Sequence, residues 1–338
     1  MIGMIMFKIR SRYIIAVCFT VVFCTAIFMG NKWYQNTKTM LIVGDSIGEG
    51  AGSSELELKW YKKLVPYMKS QFGINLEITN VSMGGNTSYA GYVRTMNLDD
   101  RDSYDYVIVC YGQNDKIEDF SLYYEVLLRT IRKKYPEAIL LCILESSQRE
   151  YTDKIQTIQE LCKYYDGHVV DTIEAFNNSG FTYDELCDDG THPNDRGQKV
   201  YFEAVTKILN RYYQEVPSTT IEDIKEINKE VKTFERFQYI PKSKLQKVNN
   251  LKYRLKVNEL SGGLGIDYIT VRGNHSLKIY TGDQKLAEKD FRWDNEFTLR
   301  YIEVLKDSFY AKEEIIFEFS SHEILENIEG FIMTSYYK

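Results

Sequence analysis

The chain has 338 residues, 44% of them hydrophobic and 27% charged, and a formal net charge of −6. That length exceeds one comfortable core and predicts two globular units. The apolar content excludes a disordered chain, and the acidic balance, with no Lys/Arg stripe to offset it, argues against nucleic acid as a main partner.

Lys8, Arg10 and Arg12 precede a charge-free run from Tyr13 to Met29. Its seventeen residues, at a rise of ~1.5 Å each, come near the lower limit for crossing a bilayer. The basic flank keeps the N-terminus inside, and Trp33 and Tyr34 suit the outer interface. Residues 1–36 are therefore expected to be an uncleaved, single-pass membrane anchor, with the bulk of the chain extracytoplasmic. The alternative is a cleaved signal peptide, but the run is long for a signal core and lacks a small-x-small cleavage site.

From Lys38 onward strands alternate with helical patterns. Strands are predicted near 39–43, 75–80, 105–110, 138–143 and 167–171, and helices near 56–71, 118–135, 152–165 and 195–213. Pro136 ends the second helix, and Asn194 is placed to cap the last. The continuous apolar runs Val107 to Cys110 and Ile139 to Leu144 suit a parallel sheet covered on both faces. Residues 37–214 are thus expected to be an α/β domain with a doubly wound, mostly parallel sheet.

Residues 215–245, with Pro217-Ser-Thr-Thr-Ile-Glu-Asp and a charged stretch after it, read as a linker. From 246 to 338 the pattern changes to short strands near 251–257, 268–272, 276–280, 296–304, 314–320 and 330–336. Gly and Asn/Asp turns separate them, with no helices between, which predicts a β-sandwich. Only its strand pattern is shared with carbohydrate-binding modules. Of the six cysteines, Cys18 and Cys24 lie in the N-terminal apolar run, and Cys110 and Cys142 in core strands. The spacing of Cys162 and Cys187 does not demand a bond between them. No Cys/His cluster points to a metal site, and no cofactor is implied.

Chemistry concentrates in four blocks. Met40 to Val43 run into Gly44-Asp45-Ser46, followed by Gly48, Gly50 and Gly52. This reads as a buried strand ending in a tight turn near the start of a helix, with a serine facing the crevice where open α/β sheets bind ligands. The glycine spacing is not that of a phosphate cradle, and Asp45 and Glu49 would repel a phosphate. The other blocks are Asn80-Val-Ser-Met-Gly-Gly-Asn-Thr-Ser88, Tyr111-Gly-Gln-Asn-Asp115 and Asp189-Gly-Thr-His-Pro193. A serine hydroxyl needs a neighbouring base. Among the four histidines His192 is the candidate, because Asp189 can accept from its other ring nitrogen and fix the tautomer. Asp45 adjoins Ser46 but points elsewhere, and Glu49 and Asp115 are given no role.

The order and content of the four blocks resemble the SGNH (GDSL-type) hydrolases over about residues 38–213. The resemblance implies an SGNH/flavodoxin-like fold, Ser46 as nucleophile, and Asp189 with His192 completing the triad. It implies an oxyanion hole made of the backbone N–H groups of Ser46 and Gly85 and the side-chain amide of Asn114, with Gly84 as the alternative glycine. Asp45 then has a structural role in the turn. The expected function is a serine esterase that cleaves O-acyl, above all O-acetyl, esters on a glycan through an acyl-serine intermediate. The rivals are an O-acetyltransferase of a cell-surface polysaccharide using the same residues, a lipase or lysophospholipase, and a non-catalytic glycan-binding surface protein. The complete set of blocks counts against the last.

Overall fold

The computed structural model describes residues 36–100, 103–215 and 224–335. The expected anchor, apart from its last residue Asn36, lies outside the described residues, and among these no helix is long and apolar enough to cross a membrane.

Five parallel strands form the first sheet: β1 (Thr37–Gly44), β2 (Asn75–Asn80), β3 (Tyr106–Cys110), β4 (Ile139–Leu144) and β5 (His168–Asp171), in the order β2-β1-β3-β4-β5. Seven helices accompany them: α1 (Leu64–Phe72), α2 (Ser88–Met96), α3 (Ile117–Lys134), α4 (Asp153–Tyr164), α5 (Thr172–Asn177), α6 (Tyr183–Leu186) and α7 (Asp195–Tyr212). The strand period of two sorts the core. Leu41, Val43, Val107, Val109 and Leu140 face α2, α3 and α4. Met40, Ile42, Ile108 and Leu141 face α1, α5 and α7. Helices on both faces explain why β3 and β4 are apolar without alternation. The strand order turns back between β1 and β3, and in such sheets ligands bind outside the carboxyl ends at that point.

Several features of this domain depart from the sequence reading, the short helices α5 and α6 among them. Residues 56–63 are a short 3-10 turn and irregular turns, so α1 starts at Leu64. Helix α2 was not expected, because Gly91, Tyr89, Tyr92 and Val93 are poor helix formers. Tertiary contacts supply what propensity lacks: the buried Asp115 accepts from the Ser88 backbone N–H at 2.9 Å and its hydroxyl at 2.6 Å.

The second domain is a β-sandwich of nine antiparallel strands. In chain order they are β6 (Arg236–Pro241), β7 (Gln246–Lys247), β8 (Lys252–Lys256), β9 (Leu260–Ile269), β10 (Gly273–Thr281), β11 (Gln284–Trp293), β12 (Arg300–Ala311), β13 (Glu314–Phe319) and β14 (Ile328–Ser335), with a short helix α8 (His322–Glu326) before the last. One sheet runs β11-β10-β13-β8-β7, the other β12-β9-β14-β6. Leu264, Ile266, Phe317 and Phe331 fill the space between them.

The span 215–245 is not a free linker. Its last part is β6, which pairs with β14 from Arg236↔Ser335 to Pro241↔Gly330. Just before it, the buried Val231 and Phe234 join the core of the α/β domain. Glu125 of α3, fully buried, accepts from the backbone N–H groups of Ile227 and Asn228. Most charges of this stretch precede β6, whose own residues alternate exposed and partly buried along the edge of its sheet.

The two domains share a core. Ile302 of β12 and Ile332 of β14 are buried with Tyr89, Tyr92 and Val93 of α2, so the four-stranded sheet is covered on both faces. Glycine allows the approach: a Cβ on Gly265 would fall 2.2 Å from the Tyr89 hydroxyl oxygen. Tyr123 of α3 donates to Asp307 at 2.6 Å across the same interface.

Candidate active site

Ser46 sits in the turn directly after β1. Three backbone hydrogen bonds build that turn, from Glu49 N to Asp45 O, Gly50 N to Ile47 O and Ala51 N to Ser46 O, each 2.9–3.0 Å. It is a turn and not a helix start, as helix α1 begins much later. Asp45 lies fully buried beneath it and accepts from the Ile47 N–H at 2.9 Å. Its carboxyl group thus holds the turn and is bonded to Ile47 and Asn114, not to His192. The N–H groups of Ser46 and Gly85 make no hydrogen bond to another described residue.

His192 and Asp189 come from the loop before α7. Asn194 caps that helix by accepting from the N–H groups of Arg196 and Gly197, which fixes where the loop ends. Asp189 Oδ1 accepts from the backbone N–H groups of Thr191 and His192 at 2.9 and 2.7 Å, and Oδ2 lies 2.6 Å from His192 Nδ1. His192 Nε2 is 2.8 Å from Ser46 Oγ. Gln198 of α7 ties the two loops together, donating to Ala51 O and Pro193 O and accepting from Trp60 N. The structure therefore joins Ser46, His192 and Asp189 in one chain of hydrogen bonds although 146 positions separate the serine from the histidine.

Electrostatics set the tautomer. Partial burial pushes the Asp189 carboxyl up, but the bonds from the His192 ring and the two backbone N–H groups together outweigh it and hold the group down at about 2. An ionised Asp189 keeps the proton on Nδ1, so Nε2 offers a lone pair to the Ser46 hydroxyl. That arrangement can take the serine proton as the oxygen attacks a carbonyl.

The third and second blocks line the other side. A Cβ on Gly84 would lie 3.6 Å from both Ser46 Cβ and Glu49 Oε2, so the exposed Glu49 borders the nucleophile across that glycine. Gly85 follows in a left-handed conformation with φ of 73°. Asn114 is beside them, but both protons of its amide are engaged: Nδ2 donates to Asp45 Oδ2 and to Asn86 O, each at 3.1 Å. This qualifies the expectation of a free donor, since Asn114 reaches an oxyanion only by exchanging one of these bonds.

Other groups here escaped the sequence reading. Glu145, fully buried after β4, accepts from Gln113 N at 2.7 Å and faces Cys110 Sγ. Burial pushes its carboxyl up to about 7 against the lowering effect of these hydrogen bonds. Burial and the charge of Glu145 push Asp45 up as well. Asn86 is 1% exposed and hooks the second domain: its Oδ1 accepts from Ile302 N at 3.0 Å, and its Nδ2 donates to Arg300 O at 2.8 Å and Gly84 O at 3.0 Å. No local signal marks this residue, because its partners lie in β12. The other three histidines are elsewhere: His168 bonds Glu215, His275 bonds Ser321, and His322 opens α8. Among the described residues no cluster of His, Cys, Asp and Glu could hold a metal ion. Cys110, Cys142, Cys162 and Cys187 are free thiols.

Residues 42–200 match the family of GDSL-like lipases and acylhydrolases. In structure the chain is similar to a two-domain esterase (CEX) active on acetylated mannans. The form co-crystallized with mannopentaose has 17% identity and a TM-score of 0.70 over 92% of this chain and 95% of that one. The form described without the oligosaccharide has 16% identity and a TM-score of 0.71 over 93% and 95%. An acetylxylan esterase from Geobacillus stearothermophilus, Axe2, aligns with 52% of this chain and 95% of its own, at 16% identity and a TM-score of 0.44. No curated protein matches this chain in sequence. Residues 42–200 are thus a GDSL-like lipase/acylhydrolase domain, and the triad assembled in it is that of a serine carboxylic ester hydrolase.

Proposed function

We propose that the protein removes O-acetyl groups from a glycan through an acyl-Ser46 intermediate. The observation that carries the chemistry is the 2.8 Å contact between Ser46 Oγ and His192 Nε2, with Asp189 behind the ring. Ser46 Oγ adds to the ester carbonyl while its proton passes to His192 Nε2. The N–H groups of Ser46 and Gly85 receive the oxyanion, joined by the Asn114 amide once one of its bonds is exchanged. Collapse of the adduct breaks the C–O bond, and the sugar oxygen leaves with the proton from His192. Water then repeats the sequence on the acyl-serine and frees acetate.

The glycan ester is supported by the second domain, whose Tyr301 packs on Gly85, and by the shared two-domain fold of an esterase active on acetylated mannans. We place the enzyme outside the cytoplasm, held by residues 1–36, on the strength of the basic flank and the apolar run. The test is acetate release by the purified enzyme from chemically acetylated oligosaccharides of mannose, xylose and N-acetylglucosamine, compared with 4-nitrophenyl acetate and long-chain acyl esters. Release from at least one oligosaccharide is expected. Cleavage of long-chain esters alone would favour a lipase, and acetyl transfer to added unacetylated oligosaccharide in preference to water would make it a transferase.

A further inference from the structure

The second domain does more than pack against the first. Tyr301 of β12 reaches the catalytic centre: a Cβ on Gly85 would fall 2.8 Å from its hydroxyl oxygen and 3.1 Å from its ring. The Tyr301 hydroxyl has no hydrogen-bond partner among the described residues. Asn86 fixes this position, since it bonds the backbone on either side of Tyr301, at Arg300 O and Ile302 N.

Beside Tyr301 lies a cleft of about 230 Å³ in the β-sandwich, lined among others by Tyr268, Lys289, Phe291, Trp293 and Glu303. The Trp293 and Tyr301 rings stand 6.3 Å apart at 70°, forming a corner with two aromatic walls. The Trp293 Nε1 donates to Phe297 O at 2.6 Å, which locks the indole. The Lys289–Glu303 ion pair supplies a donor and an acceptor at the rim. The volume is below the ~300–1,000 Å³ of clefts that enclose drug-sized ligands and suits one ring. Aromatic walls with polar groups at the rim fit a ligand that is apolar on its faces and hydroxylated at its edge, which is the chemistry of a pyranose.

We propose that Trp293 and Tyr301 form the subsite for the sugar ring next to the scissile ester, so that the active site is completed by the second domain. The Tyr301 hydroxyl hydrogen-bonds the sugar beside Gly85, and Trp293 stacks on its face. This rests on the glycan-ester reading above.

The test compares the full chain with Trp293→Ala, Tyr301→Ala and Tyr301→Phe. It reads the ratio of kcat/KM for the acetylated oligosaccharide that the wild type cleaves best to kcat/KM for 4-nitrophenyl acetate, with thermal midpoints as the control for folding. Truncating a stacking ring is expected to lower the ratio roughly tenfold or more, mainly through KM. Tyr301→Phe should lower it less than Tyr301→Ala. The subsite is overturned if wild type deacetylates an oligosaccharide and the variants keep its ratio, or lose both activities equally. If wild type hydrolyses only the aryl acetate, the glycan-ester reading itself fails and takes the subsite with it.

Discussion

Asn86→Ala separates the role of the second domain from that of the triad. The side chain makes three hydrogen bonds, two of them to β12 and one to Gly84 O. Alanine leaves the buried Ile302 N–H and the part-buried Arg300 carbonyl without partners. An unpaired buried polar group costs about 1–3 kcal/mol, so the two together cost on the order of 2–4 kcal/mol once the more exposed one finds water. For domains of this size that is roughly 5–15 °C in thermal midpoint. The same side chain holds the Gly84–Gly85 segment against Ser46, so turnover of 4-nitrophenyl acetate should also fall, roughly 10–100-fold, less than for complete loss of an oxyanion donor. Asn86→Asp should be worse than alanine, because it keeps the bond to Ile302 N but sets a charge against two carbonyl oxygens. The assay pairs scanning calorimetry with kcat and KM. A midpoint within about a degree of wild type together with unchanged kcat in Asn86→Ala would refute the reasoning.

Three further outcomes are expected. Asn114→Ala should slow turnover roughly 10²–10³-fold, as for a lost oxyanion donor; a change confined to KM would show that the amide contacts only the ground state. Glu145 has its carboxyl raised in the folded state, so the native protein holds a proton that the unfolded chain loses above its ordinary value of 4.5. That stabilisation is present at low pH and disappears as pH rises through about 7. The thermal midpoint of wild type should therefore fall between about pH 5 and 7.5 more steeply than that of Glu145→Gln, and parallel curves would disprove a neutral Glu145. Gly265→Ala should lower the midpoint, because the new methyl must displace Tyr89. Removing the Tyr89 hydroxyl as well leaves the ring carbon at 3.1 Å, so Tyr89→Phe should restore part of the loss in a double-mutant cycle.

What could be read from sequence was local. Each catalytic block is a short run, three of them at strand ends and the last just before α7, and β1, β3 and β4 are legible because their apolar runs are continuous. Asp189 and His192 are three residues apart, so their pairing needs no tertiary information. Asn194 as a cap rests on the same short range. The elements missed depend on distant partners. Helix α2 is held by Asp115, and β6 by β14. Strand β11, with charges along most of its length, is an edge strand in which Phe291 is the one buried residue. The glycines of β9 read as turns, yet Gly265 lets a buried strand meet α2. Asn86 and Tyr301 were invisible for the same reason: the bond from Ile302 to Asn86 spans 216 positions.

The central claim is that Ser46, activated by His192, is the nucleophile of this esterase. An aryl phosphonate ester reacts with such a serine and stays, so the direct measurement is peptide mass mapping of the treated enzyme alongside residual activity on 4-nitrophenyl acetate. One phosphonyl group on Ser46, with activity lost in proportion to labelling, is expected. Ser46→Ala should be inactive and unlabelled, and His192→Ala should label far more slowly. A label on another residue, or undiminished turnover in Ser46→Ala, would contradict the account.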